Sequence, residues 1–424
     1  MNTLRRALPV AIASLLVVVP ASAQKASGPE TQVWIDVATH HMAGMPDMGP
    51  LGGLAGRMMG GQKPELLYPT ARHAVGMGGQ YLDVALHNSL RPGVEAQHEI
   101  PGGLKLGKSL PLVPPVSEQR AEYTREDRRK PDTPDVEVTI HEYWGCGAAV
   151  RPGQPKTFKF KMQGGAVQTS GSVSQGKLVP DRDIDVTPAY ALWPNRKNGK
   201  QVPNGATLAG SHRITGAGVP ESLRFELGGN AEFMPKIALR TQGQTTDALA
   251  LSWQPVDRAR AYFLNAFAMQ NQNTMVIWSS AETAGAGHEL HQYLSGSYID
   301  RWLKEKVLLP PATTNCTIPK GIFAASDGGA GQGGMGGMGT LNMIAYGPET
   351  HLVWPPKPTD PEALKTWDPE WNVRVRTKST AMSMLGMDLG GVDASAPRDD
   401  DDPAQPQQEE GKGKKLLRGL LRTF

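Results

Sequence analysis

"WNVRVRTKSTAMSML", residues 371–385, alternates so that Val373, Val375 and Thr377 face one way. A period of two is the pattern of a strand with one face apolar and the other polar. Near the opposite end of the chain "QVWIDVA" (32–38) alternates in the same way. The two stretches share a layout: an alternating strand, then threonine, then methionines that end beside glycine, in "VWIDVATHHMAGM" and "WNVRVRTKSTAMSMLGM". A C-terminal strand of this kind commonly pairs with an N-terminal one. Side by side, the two would carry both methionine clusters to the same end of a sheet.

Working outward, "YLDVALH" (81–87), "VEVTIHEYW" (136–144) and "TFKFKM" (157–162) read as further strands. With "QVWIDVA" they predict an N-terminal β domain over 24–165, completed by 371–385. "PGGLKLGKSLPLVPP" (101–115) reads as a proline-rich connector and "SEQRAEYTREDRRKPDTPD" (117–135) as an exposed loop or short helix. "SLRFEL" (222–227), "ALALSWQPV" (248–256), "AYFLNAFAM" (261–269), "TMVIWSS" (274–280) and "GTLNMIAYG" (339–347) predict a second β-sandwich over 166–347, with serine-rich "QTSGSVSQG" (168–176) as a turn. One helix interrupts it at 297–308, with Ser297 as its N-cap and Pro310 and Pro311 ending it. A return segment occupies 348–389. The expected fold is mostly β: two antiparallel sandwich-like domains, one inserted helix, and long loops drawn from 49 Gly, 35 Pro and clustered Met.

The first 23 residues read as an export signal: basic "MNTLRR", apolar "ALPVAIASLLVVV", and an Ala21-Ser22-Ala23 cleavage site. The mature chain is thus expected in the periplasm or outside the cell. Its 44 Lys and Arg, of which Arg5 and Arg6 belong to the signal, nearly balance 41 Asp and Glu, so bulk charge points to no nucleic-acid partner. Residues 390–424 form an acidic linker and then a basic amphipathic tail; within it, 414–424 could make weak membrane contact or dock on the chain itself. Cys146 and Cys316, in an oxidising compartment, are expected to form a disulfide; a thiolate metal ligand is the alternative.

Within "LSWQPVDRARAY", the spacing of Trp253, Pro255, Ala259 and Tyr262 resembles the adjoining B and C strands of a fibronectin type III domain, over 248–269. The resemblance implies that Trp253 packs between two sheets, and it implies no activity. "YWGCG" (143–147), "RPGQP" (151–155) and "ALWPN" (191–195) resemble segments of uncharacterised exported proteins of Gram-negative bacteria. That likeness transfers no functional residue.

Catalytic patterns are weak. Gly329, Gly331 and Gly334 match a dinucleotide fingerprint but lie in a glycine-methionine run with no helix to follow. His288-Glu289-Leu290-His291 puts its second histidine one position too early for a zincin pair, and reads as a surface segment with no third ligand in view. The methionines stand out: of 17, eleven fall in three groups, Met42 to Met59, Met335 to Met343 and Met382 to Met387. Thioethers beside His40 and His41 suit Cu(I) or Ag(I), with Met42, Met45, Met48, Met382 and Met384 as candidate donors. Methionine also fills irregular apolar gaps, or builds a greasy partner-binding patch. The sequence therefore predicts a non-catalytic exported protein that binds an unknown protein or envelope component, without a cofactor. A copper-binding protein and a secreted hydrolase with a site assembled in space are the alternatives.

Overall fold

The computed structural model describes residues 29–43, 66–72, 78–116, 136–163, 166–172, 174, 176–177, 183–324 and 339–385. The signal, the 117–135 stretch, the glycine-methionine run and the 390–424 tail lie outside the described residues. What is described is mostly β, in three sheets whose strands are numbered here in chain order. The large sheet has ten strands in the order β7 (Ala166–Gly171), β6 (Lys156–Gln163), β5 (Val136–Trp144), β14 (Thr274–Ser279), β13 (Ala261–Met269), β16 (Gly339–Trp354), β17 (Trp371–Leu385), β1 (Thr31–Met42), β2 (Gly79–Asn88) and β8 (Tyr190–Trp193). A four-stranded sheet runs β10 (Arg224–Leu227), β9 (Gly210–Gly216), β3 (Ala96–Glu99), β4 (Ser109–Leu112), and a three-stranded one β11 (Arg240–Gln242), β12 (Leu249–Ser252), β15 (Asn315–Ile318).

The first and last described strands pair within the large sheet. β1 and β17 pair in parallel without a slip, from Thr31 opposite Trp371 to Met42 opposite Met382. β5 and β14 are also parallel, and the other pairs are antiparallel. The expected boundary at 165/166 is not a break in this sheet: β5, from the predicted first domain, hydrogen-bonds to β14 of the second. Two cores lie on one face of the sheet. Val33, Ile35 and Val37 of β1 with Val373 and Val375 of β17 pack with Ile214 and Phe225 of the four-stranded sheet. Farther along, Tyr262 and Leu264 of β13 and Leu341 and Met343 of β16 pack with Leu249, Leu251, Cys316 and Ile318 of the three-stranded sheet. Trp253 is 3% exposed in this second core, its ring 5.6 Å from that of Tyr262 in an edge-on contact.

The opposite face of β13 and β16 is covered by helix α1 (Gly296–Lys304), whose Ile299 and Trp302 pack with Phe263, Ile344 and Tyr346. This helix is shorter than the predicted 297–308. Its N-cap is Ser295, not Ser297, and it stops before the prolines because Lys306 turns to φ 57°. The amides of Lys306 and Val307 then close back on the carbonyls of Leu303 and Trp302, the pattern of a Schellman stop. A second helix, α2 (Pro361–Thr366), was not expected. Asp360 caps it by accepting from the Ala363 amide at 2.8 Å, with proline in its first turn.

Three other segments differ from expectation. The 101–115 connector contains β4, and part of the serine-rich turn is β7, an edge strand exposed along its length. β16 runs past 347 to Trp354, with a register shift between Tyr346 and Glu349. Cys146 and Cys316 are bonded, with Cα atoms 5.1 Å apart, so neither serves as a thiolate ligand. Their separation of 170 residues ties the end of β5 to β15, linking the large sheet to the small one.

Candidate functional site

The polar residues that alternate with the core of β1, β2 and β17 are buried too. Asp36 is 1% exposed, Asp83 1%, Arg376 5% and Lys378 1%. Such a face survives only because its charges are matched. Arg376 donates to Asp36 from Nε at 2.8 Å and from Nη2 at 2.6 Å, and Nη2 also reaches Asp183 at 2.7 Å. Arg72 approaches from the segment before β2, donating from Nε to Asp36 at 3.1 Å and pairing with Asp183 at 3.3 Å. Burial alone would push Asp36 upward, but the charge and hydrogen bonds of Arg376, with Arg72 and Arg374 behind it, hold its carboxyl at about 2. Asp83 lacks an arginine at bonding distance. Burial raises it to about 7 even though it accepts from the amides of Thr70 and Ala71 and the Thr70 hydroxyl.

Lys378 closes the cluster. Its Nζ donates to the backbone carbonyls of Arg72 at 2.8 Å and His291 at 3.2 Å, and lies 4.6 Å from the centre of the Tyr293 ring. Burial brings this ammonium down to about 7, against the pull of Asp36. The lysine thereby straps the turn at 288–291 to the sheet.

Beside that strap a cleft of about 370 Å³ opens at the end of the sheet where β1 and β17 finish. One wall is His40 and Met42 from β1 with Thr380 and Met382 from β17; the other is His288, His291 and Gln292. His41 also lines it, Lys378 and Arg72 lie at its inner end, and Phe267, 41% exposed, belongs to its rim. The strand wall follows from register: His40 lies opposite Thr380 and Met42 opposite Met382, so one face presents all four. Thr380 Oγ1 is 2.6 Å from His40 Nδ1 and fixes that ring.

The opposite wall corrects the surface reading of His288-Glu289-Leu290-His291 in part: His288 and Glu289 are exposed, but Leu290 and His291 are buried. The segment is a single 3-10 turn, in which positions three apart eclipse, and the two imidazoles stack with centroids 5.4 Å apart and planes at 21°. His291 is only 8% exposed and meets the edge of Phe263. Burial, reinforced by His288 and Lys378, pushes its imidazole well below the usual range, so the ring is neutral at pH 7. Among the described residues nothing hydrogen-bonds to His291 Nε2 or to Gln292 Oε1, both buried.

Of the residues singled out from sequence, His40, His41, Met42 and Met382 converge here. Met384 lies one step farther along the same face, opposite Thr340, which lines the cleft. Met45 and Met48 lie outside the described residues. The turn histidines, Lys378 and the Asp36 cluster belong to the site without having been assigned to it from sequence. A second cavity, about 460 Å³, is lined by Lys156, Lys177, Arg301 and Trp302. Its Arg301 is already paired with Glu305 at 2.8 Å, and none of its lining atoms is among the buried polar atoms left without a partner. The first cleft is therefore the candidate site. The chain matches no protein-family model, no curated protein and no solved structure with which it was compared, and its site is read from geometry alone.

Proposed function

We propose that this is an exported binding protein, not an enzyme, and that the cleft between the β1–β17 wall and the 288–291 turn receives its ligand. The observation that carries the reading is the pair of buried, unpartnered atoms, His291 Nε2 and Gln292 Oε1, beside the same cavity. An unsatisfied buried polar atom costs about 1–3 kcal/mol, and a ligand that bonds to it recovers that cost. The charged groups nearby are engaged with one another: Asp36 with two arginines, Lys378 with two carbonyls. That leaves them as walls and braces. Export is supported by the leader-like N-terminus and by a disulfide of the kind favoured in oxidising compartments. Among the described residues no helix is long and apolar enough to cross a membrane.

The test is native mass spectrometry of the full chain taken from the exported fraction of its producing cell. A bound mass retained by the parent and lost in His291→Phe is the expected result. Ligand-free masses for both would overturn the reading.

A further inference from the structure

We infer that the cleft is a site for a soft monovalent metal ion, Cu(I) or Ag(I), held between the thioethers of Met42 and Met382 and the imidazole of His291, with His40 alongside. The inference rests on the cleft being the ligand site and names the class of ligand it takes.

The donors are placed by topology. Neighbouring strands lie about 4.8 Å apart, so in-register residues present their side chains side by side, and residues two apart on one strand follow about 6.6 Å later. Met42 and Met382 are such a lateral pair, and His40 precedes Met42 by two positions on the same face. Methionine has three rotatable bonds, which lets two sulfurs close on one point from this base. His291 stands on the other wall with a buried Nε2 that no described residue occupies. The bond from Thr380 fixes His40 through its Nδ1, as outer-shell partners fix metal-binding imidazoles.

The chemistry of the set selects the ion. Among the described residues no three His, Cys, Asp or Glu side chains are grouped to hold a metal, so an ion here must draw on thioether sulfur. Sulfur with neutral imidazole favours soft ions over Mg, Ca or Mn, which take oxygen. The same end of the sheet is where the methionine-rich parts of the sequence join it: β1 ends at Met42, β17 at Leu385, and β16 starts at Gly339 opposite Leu385.

The experiment is an anaerobic Cu(I) titration of the full-length mature chain against a chromogenic bidentate chelator. The parent is expected to withdraw one equivalent with at least tenfold higher affinity than the Met42→Leu/Met382→Leu variant, in which volume is nearly conserved. Met343→Leu, in the core of the other face, should bind as the parent does. X-ray absorption of the parent's copper supplies a readout independent of the variants, with sulfur and nitrogen expected in the first shell. Equal affinity in the double variant, or a shell without sulfur, overturns the metal assignment. Should native mass spectrometry then show an organic mass that His291→Phe loses, the cleft remains the ligand site and only its ligand class falls.

Discussion

Asp36 and Arg376 face each other across the parallel β1–β17 pair, 340 residues apart in sequence, with the guanidinium contacting both oxygens of the carboxylate. Asp36 also receives Arg72, so its removal strands parts of two buried cations, whereas Asp183 is 20% exposed and serves as their second partner.

Asp36→Asn should therefore destabilise the protein by roughly 3–5 kcal/mol, the range for breaking a buried pair. Asp183→Asn should cost clearly less, and urea unfolding at pH 7 compares the two. The sign with pH follows from the depressed carboxyl. Its stabilisation is complete above the unfolded value of 3.8 and is lost as pH falls toward the folded value of about 2. That loss amounts to about 2–3 kcal/mol in the parent and is absent from Asp36→Asn. Equal costs for the two asparagine variants would show that Asp36 does not anchor the cluster.

The same pair shows where sequence reading stops. Alternation in 371–377 marks a strand that the structure contains, and the pairing of a C-terminal strand with an N-terminal one is found between β17 and β1. The pattern marks a polar face without saying what meets it: Arg376 and Lys378 are buried, because Asp36, Asp183 and the carbonyls of Arg72 and His291 arrive from distant segments. Alternation encodes polarity; it does not encode whether water or a counter-charge satisfies it. His291 departs from the surface reading for the same reason, while His288 is exposed as expected. Their spacing offered no third donor locally, and the wall opposite them comes from strands at both ends of the chain. The two-domain expectation groups strands by their order along the chain, whereas the first core takes Ile214 and Phe225 with Val33 and Val373, and β5 hydrogen-bonds to β14; pairings between segments this far apart leave little local trace.

Acid sensitivity should come from buried imidazoles. His98 and His212, both fully buried in the core under the four-stranded sheet, bond to each other at 3.0 Å, and His212 Nε2 donates to the Leu208 carbonyl at 2.8 Å. Burial depresses both, as it does His291. A histidine with a lowered folded value binds fewer protons native than unfolded, so stability falls as pH drops below about 6.5, by up to about 1.4 kcal/mol per pH unit for each ring. Urea midpoints measured from pH 7.5 to 5 should decline, and His98→Gln/His212→Gln should flatten the decline. Asp83, raised to about 7, works in the opposite sense over the same range, so the double variant is the deciding readout: a slope that it leaves unchanged would contradict the neutral, buried assignment.

Lys378 offers the sharpest separation of stability from binding. Lowering its ammonium from 10.5 to about 7 corresponds to roughly 4–5 kcal/mol of unfavourable burial at pH 7. Lys378→Met removes that cost but leaves the carbonyls of Arg72 and His291 without their donor, at about 1–3 kcal/mol each. The opposing effects are of similar size, so net stability at pH 7 should change by no more than about 3 kcal/mol. The pH profile, by contrast, must change. In the parent the native state holds fewer protons than the unfolded state between pH 7 and 10.5, so this group makes stability rise across that window, and the methionine variant should lack the rise. Ligand binding should also weaken, because the lysine holds the 288–291 turn against the sheet without itself being a proposed donor. Urea unfolding from pH 7 to 10, set beside the Cu(I) titration of the same variant, checks both. A variant that keeps the parent's rise in stability and its Cu(I) affinity would show that Lys378 neither titrates in this window nor braces the cleft.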